Sequence, residues 1–356
     1  MDLRTQKLAK LLVNYSLNVK PGEKVIISGG VEAQEFIIAL YKETILKKAH
    51  PIIKVNLPGL TPFFYKYASK EQIERFPEEF DFMVKNAQKY IGILTETNTK
   101  ELTNIDPKKI VARKKITNPI SDYIVNAKDK IKRCTVGFPC QAFAQEAEMD
   151  LVEYENFVYS ACLQDWQTLG KKMDRIKSKF KKNSKIHLIG ENVDLIFRVH
   201  GDKAIADKGE ENMPGGEIFM APVRESVNGW IKFEYPAIKE GKEVTEIFLR
   251  FENGKVVESK ADKNDVFLKE MLATDENASY LGEFGIGCNP KITKFTKELL
   301  FDEKISGTIH LALGMAYKEN GGGNDSALHW DIVKNMKKSK IIVDGKIIQE
   351  RGIWKI

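Results

Sequence analysis

The first half of the chain alternates between two periodicities, and that alternation restricts the available folds more than any other feature. Short apolar runs at 25–27, 51–55, 90–94 and 131–136 have the length and β-branched content of buried strands. Residues 3–17, 32–46 and 70–75 instead space their apolar side chains as helices do. Strands interleaved with helices need crossover connections, so this half predicts a parallel, Rossmann-like α/β sheet. Ser28-Gly29-Gly30 stands where a phosphate-binding loop would, after a strand and before a helix. It lacks the third glycine of the dinucleotide fingerprint and the Lys-Ser/Thr pair of a P-loop. We read it as a tight turn and expect no nucleotide site.

Residues 150–180 predict one long helix. Asp150 with Glu153 starts it, and Val158, Cys162, Trp166, Leu169, Met173, Ile176 and Phe180 form a buried stripe that makes Trp166 a core residue. Beyond it the pattern changes. Residues 186–189, 193–199, 230–235 and 244–251 alternate every second position, as half-exposed strands do, and Asn253-Gly254 and Asp344-Gly345 are hairpin turns. The 356 residues exceed one ordinary core. The lysine-rich segment 181–185 is therefore taken as the boundary between an N-terminal α/β domain, 1–180, and a β-rich α+β domain, 181–356, that carries the metal site.

The totals exclude several classes. With 56 basic and 50 acidic residues the net charge is only +6, and the densest basic run, 175–185, has no interleaved aromatic pattern, so no nucleic-acid partner is expected. No run approaches the roughly 20 apolar residues of a membrane span. Residues 1–15 form an amphipathic pattern rather than the continuous apolar region of an export signal. The four cysteines have neither zinc-like nor disulfide-framework spacing. A cytoplasmic protein with reduced thiols, acting away from membranes, is the expectation.

The chemistry concentrates between Leu281 and Asp331. Glu283 lies between Gly282 and Gly285, His310 sits in an alternating apolar run with Tyr317 seven residues on, and His329 and Asp331 are two apart, on one face of an extended chain. Upstream, Pro214-Gly215-Gly216 presents Glu217. Singly, each has an ordinary explanation as a surface turn or a satisfied core histidine. As a set, carboxylates and imidazoles on glycine-marked segments of one domain are what a divalent metal pair requires. There is no HExxH helix, so a metallopeptidase would need another architecture.

The segments MPGGEIF, LGEFGIGCNP, GTIHLALG and LHWD, in that order, resemble the metal-binding segments of the aminopeptidase T / aminopeptidase S family of metallopeptidases. Residues 144–162, Asp194 and the SVNG turn at 226–229 are similar as well. The resemblance implies an exopeptidase that releases N-terminal amino acids, usually a homodimer, with an α/β domain followed by a β-rich one. It places Glu217, Glu283, His310, Tyr317, His329 and Asp331 at the family's metal positions, with Glu283 bridging two ions. Glu303 is compared with a further acid near the site, with no role assigned. This chain looks shorter than typical members, and its 310–329 interval looks trimmed, which bears on pocket depth and substrate preference.

Two divalent ions are then expected, and carboxylate with imidazole suits Zn, Co or Mn. They would activate a water, polarise the scissile carbonyl and anchor a free α-amino group. Tyr317 is open to two roles, metal ligand or hydrogen-bond donor to the developing oxyanion. An alternative is a mononuclear non-haem iron ring-cleaving dioxygenase on the same scaffold, which needs about three ligands where this chain keeps six. A catalytically inert metal-binding module is a third reading, against which the complete set argues.

Overall fold

The alternating first half folds into a parallel sheet. A computed structural model describes all 356 residues, Met1–Ile356. Lys24–Gly30 is flanked by His50–Asn56 on one side and Lys89–Leu94 on the other, followed by Lys132–Gly137 and Asn212–Met213, all in parallel register. The helices Gln34–Leu46 and Pro107–Asn126 belong to the crossovers between these strands. Ile26, Val84, Ala87, Ile120 and Ile131 form a core cluster there. Ser28, Gly29 and Gly30 are the last paired residues of their strand rather than a turn. Close packing explains the glycine at 29, where a Cβ would come within 2.9 Å of the Ile93 Cβ.

The expected helix over 150–180 is two helices. Leu151–Cys162 ends at Leu163, and Asp165 caps a new helix, Trp166–Lys177, by accepting hydrogen bonds from the backbone N–H groups of Gln167 and Thr168. The apolar stripe runs across the break in phase, so periodicity alone misses it, whereas an aspartate cap registers it.

The chain groups into two units, Met1–Gln164 with Gly209–Pro214, and Asp165–Lys208 with Gly215–Ile356. The second helix, Trp166–Lys177, belongs to the latter unit, where it packs on Ile205–Asp207 and Glu217–Met220. The grouping differs from the 180/181 boundary expected from the lysine-rich run in two places: residues 165–180 go with the second unit and 209–214 with the first.

The second unit holds two large sheets. One is eight-stranded, with Lys182–Gly190 and Val193–His200 paired antiparallel at its centre. Its turns at Asn253-Gly254 and Asp344-Gly345 have positive φ at both residues, as two-residue hairpins need. The other is five-stranded and antiparallel, in the order His329–Asn335, Thr308–Gly314, Leu281–Gly287, Glu217–Met220, Ile205–Asp207. Phe284 of this sheet meets Phe197 of the larger one edge to face at 5.2 Å, so one face of the five-stranded sheet is apolar core. The opposite face carries ionisable side chains, Glu217, Glu283, His310 and Asp331 among them. No helix is long and apolar enough to cross a membrane.

Candidate metal centre

Strand register, rather than any one loop, assembles the site. Side chains directly opposite each other in a sheet share a face. Glu283 pairs with Ala312, Ala312 with Asp331, and Gly314 with His329; Gly285 pairs with His310, Gly287 with Glu217, and Glu217 with Asp207. The ionisable residues Asp207, Glu217, Glu283, His310, His329 and Asp331 therefore share one face, with Gly285, Gly287, Ala312 and Gly314 between them. The small residues make room. A Cβ on Gly285 would sit 1.9 Å from His310 Nε2. The wide bed for the imidazole exists only because its cross-strand partner has no side chain.

His310 is fully buried. Its Nδ1 donates to the Glu303 backbone carbonyl at 3.2 Å, which turns Nε2 towards the carboxylates. That Nε2 has no hydrogen-bond partner. It lies 3.4 Å from Glu283 Oε1 and 3.6 Å from Glu217 Oε2. Two ligands on one tetrahedral ion at ordinary bond lengths stand roughly 3.3 Å apart, so this spacing fits a shared cation. His329 repeats the device: Nδ1 donates to the Met315 carbonyl at 3.0 Å, and Nε2 faces Asp331 Oδ2 at 3.3 Å. Asp331 Oδ1 is buried without a partner. The Tyr317 ring packs against the His329 ring with centroids 5.2 Å apart.

Glu303 belongs to the same cluster. Glu217, Glu303 and His310 form one metal-competent group, and Glu283, His310 and Asp331 another. Glu303 follows the short helix Leu299–Asp302, which is held by Asp302 accepting from the backbone N–H (2.7 Å) and hydroxyl (3.0 Å) of Thr296. The next residue, Lys304, reaches into the cluster with no solvent exposure, 3.2 Å from Glu217 Oε1 and in direct contact with Glu303. Asn320, also fully buried, donates to Glu283 Oε2 at 3.4 Å. Nothing in the periodicity singles out Lys304 or Asn320. Their only trace in the sequence is proximity to Glu303 and Tyr317.

The electrostatics are those of a site built for cations. Burial, then the Glu303 charge, pushes Glu217 above the usual carboxylate range against Lys304 and His310, and burial raises Glu283 and Glu303 as well. Burial disfavours a charged His310, yet Glu283, Glu217, Asp331 and Glu303 outweigh it and hold its pKa up to about 9. For His329 the Asp331 and Glu283 charges likewise overcome burial, to about 10. Burial acts against the Asp331 carboxylate too, but His329 beside it keeps it well below its ordinary range. The Lys304 ammonium is raised by Glu217, Glu303 and Asp207 despite its complete burial. Carboxylates crowded out of water beside two imidazoles that can give up a proton to coordinate fit divalent cations.

An α/β scaffold carrying such a face defines a metalloenzyme centre. The family model for thermophilic metalloprotease (M29) matches residues 1–353, and the chain belongs to that family: it is a metallopeptidase. Aminopeptidase AmpS of Bacillus subtilis (strain 168) is 27% identical over 415 residues, covering 99% of this chain and 100% of its own. Aminopeptidase T of Thermus thermophilus is 26% identical over 98% of both chains. Wild-type AmpT from Thermus thermophilus, a solved structure, superposes with a TM-score of 0.85 at 24% identity over 99% of each chain. The 2,5-dihydroxypyridine dioxygenase from Pseudomonas putida KT2440 shares the fold at a TM-score of 0.60 and 12% identity, over 98% and 96% of the two chains.

Proposed function

We propose that the chain is a metal-dependent aminopeptidase with two divalent ions. The observation that carries this reading is the partnerless His310 Nε2, aimed between Glu283 and Glu217 at metal-ligand spacing. A single nitrogen lone pair serves one ion. One position is therefore assigned to Glu217, Glu303 and His310, the other to His329 and Asp331, with Glu283 between them. When bound, the ions supply an activated water and polarise the scissile carbonyl. The protein's own part is to orient: backbone carbonyls fix the tautomer of both histidines, and Asn320 holds the outer oxygen of Glu283. A free α-amino group is a cation-site ligand that an acylated one is not, which makes the reaction exopeptidic.

Tyr317, its ring tilted against that of His329, either ligates or donates to the oxyanion. Tyr317→Phe separates the two, since loss of bound metal marks a ligand and loss of kcat alone marks a donor. Zn, Co and Mn are the proposed ions. A cytoplasmic location is proposed alongside, supported by four buried free cysteines. So is a homodimer, supported by exposed Ile38, Tyr41 and Ile45 on one helix and by Ile53 and Val55 on an edge strand. Light scattering showing a monomer at micromolar concentration would remove the dimer.

The test is hydrolysis of free and N-acetylated dipeptides and of leucyl, arginyl and methionyl amides by metal-stripped protein with Zn, Co, Mn or Fe(II) restored. Cleavage of free substrates only, rising with a second metal equivalent, is the expected result. No cleavage with any metal, together with oxygen uptake on a dihydroxylated aromatic ring in Fe(II), would replace the peptidase with the dioxygenase.

A further inference from the structure

The two proposed ion positions are not electrostatically alike. We infer that Lys304 is a resident counter-cation that makes them unequal, so that the position formed by Glu217, Glu303 and His310 holds its ion weakly and exchangeably while the position of His329 and Asp331 holds its ion tightly. This rests on the two-ion reading above.

Three observations place Lys304 in the role. Its side chain is wholly buried, and a buried ammonium persists only where carboxylates surround it. It contacts one oxygen of Glu217 and one of Glu303, which competes with a metal for these acids, while Glu217 presents Oε2 to His310. The segment is also fastened. The Lys304 carbonyl accepts from the Asn289 N–H at 2.9 Å, and a Cβ on Gly287 would sit 2.0 Å from the Ile305 carbonyl oxygen, so backbone presses directly on the sheet.

Both consequences have the same sign. Oxygens engaged by the ammonium are withdrawn from coordination, and a fixed positive charge out of water repels a divalent ion beside it. The second position has a lysine nearby too, but of another kind. Lys239 is half-buried, its ammonium donates at 2.6 Å to the backbone carbonyl of His329, and its charge helps keep the Asp331 carboxylate ionised. Water reaches it and screens its charge more than that of the wholly buried Lys304.

The experiment titrates metal-stripped full-length protein with Zn(II) against a chromophoric chelator and checks stoichiometry by elemental analysis after dialysis. The wild type should bind two equivalents in separate steps, at least about tenfold apart. Lys304→Met and Lys304→Gln should each tighten the weak step by at least about tenfold and leave the tight step unchanged. If Lys304 were only a structural prop, Met would weaken both steps and Gln would restore them, which overturns the inference. A weak step that does not move in either variant overturns it equally. Should the variants fail to fold by circular dichroism, Glu303→Gln and Asp331→Asn decide: the first must abolish the weak step and the second the tight one, and the reverse assignment refutes the proposal. A wild type that binds a single equivalent removes the two-ion reading itself, an outcome the other arms cannot mimic.

Discussion

Two strands of seven residues, one in each unit, are buried almost alike and built from opposite materials. Lys24–Gly30 in the parallel sheet has six buried residues, and Val25, Ile26 and Ile27 pack as core. Leu281–Gly287 in the five-stranded sheet is buried at all seven positions, yet from 283 on every second residue is a glutamate or a glycine: Glu283, Gly285 and Gly287. The first strand devotes its burial to apolar contact, which stabilises. The second sinks a carboxylate below the surface among others, which costs stability unless a cation compensates. Burial alone therefore does not distinguish core from active site; the side-chain content of the buried face does.

Breaking each side of this comparison should give different losses. His310→Ala or Glu283→Ala is expected to abolish metal-dependent peptidase activity, a fall of at least about a thousandfold, while circular dichroism shows the fold intact. Full activity in either variant would remove the site. Ile26→Ala should do the reverse, costing about 2–5 kcal/mol in denaturant unfolding with metal affinity per folded molecule unchanged. Gly285→Ala tests whether the empty position is part of the site. Pushing the His310 ring aside should weaken metal binding about 10–100-fold, as loss of an outer-shell support does. Unchanged affinity would show that the ring tolerates the methyl group.

The smallest effect sharpens the electrostatic contrast. His310 and His329 are raised above their ordinary range, to about 9 and 10, so their charged forms favour the folded, metal-stripped protein. That contribution is complete below the unfolded histidine pKa of about 6.5 and is lost as pH rises through about 9 and then about 10. Metal-stripped protein should melt several degrees lower at pH 10 than at pH 6. Metal affinity should climb over the same interval, because a coordinating imidazole must be neutral. A flat melting profile would contradict the two raised histidines.

Much of the site is legible in the sequence. His329-x-Asp331 and the Glu283-x-Gly285 spacing are period-two signals, and period two is what a strand writes into its sequence. In the first half the strands are legible as short apolar runs and the helices at 3–17, 32–46 and 70–75 by their 3.6-residue spacing, whereas Leu60–Tyr67, Glu78–Lys85 and Pro107–Asn126 are not among those the spacing predicts. Asp165 is not, because the apolar stripe keeps phase across the break between Cys162 and Trp166, so a cap reads as one more polar residue. Ser28-Gly29-Gly30 reads as a turn because glycine signals both turns and tight packing, and only the approach of Ile93 decides between them. Lys304 and Asn320 leave no periodic trace. They stand on short non-repeating segments, and what makes them part of the site is a fold-level approach to Glu217 and Glu283.

Register has one further consequence. Because the convergence of Glu217, Glu283, His310, His329 and Asp331 depends on four strands pairing in one alignment, a slip of one residue in any of them would turn its side chains to the apolar face. A slip in one strand would remove that strand's ligands from the shared face and leave the pair of positions incomplete. An ion that binds the correctly threaded form more tightly would therefore favour that form by mass action.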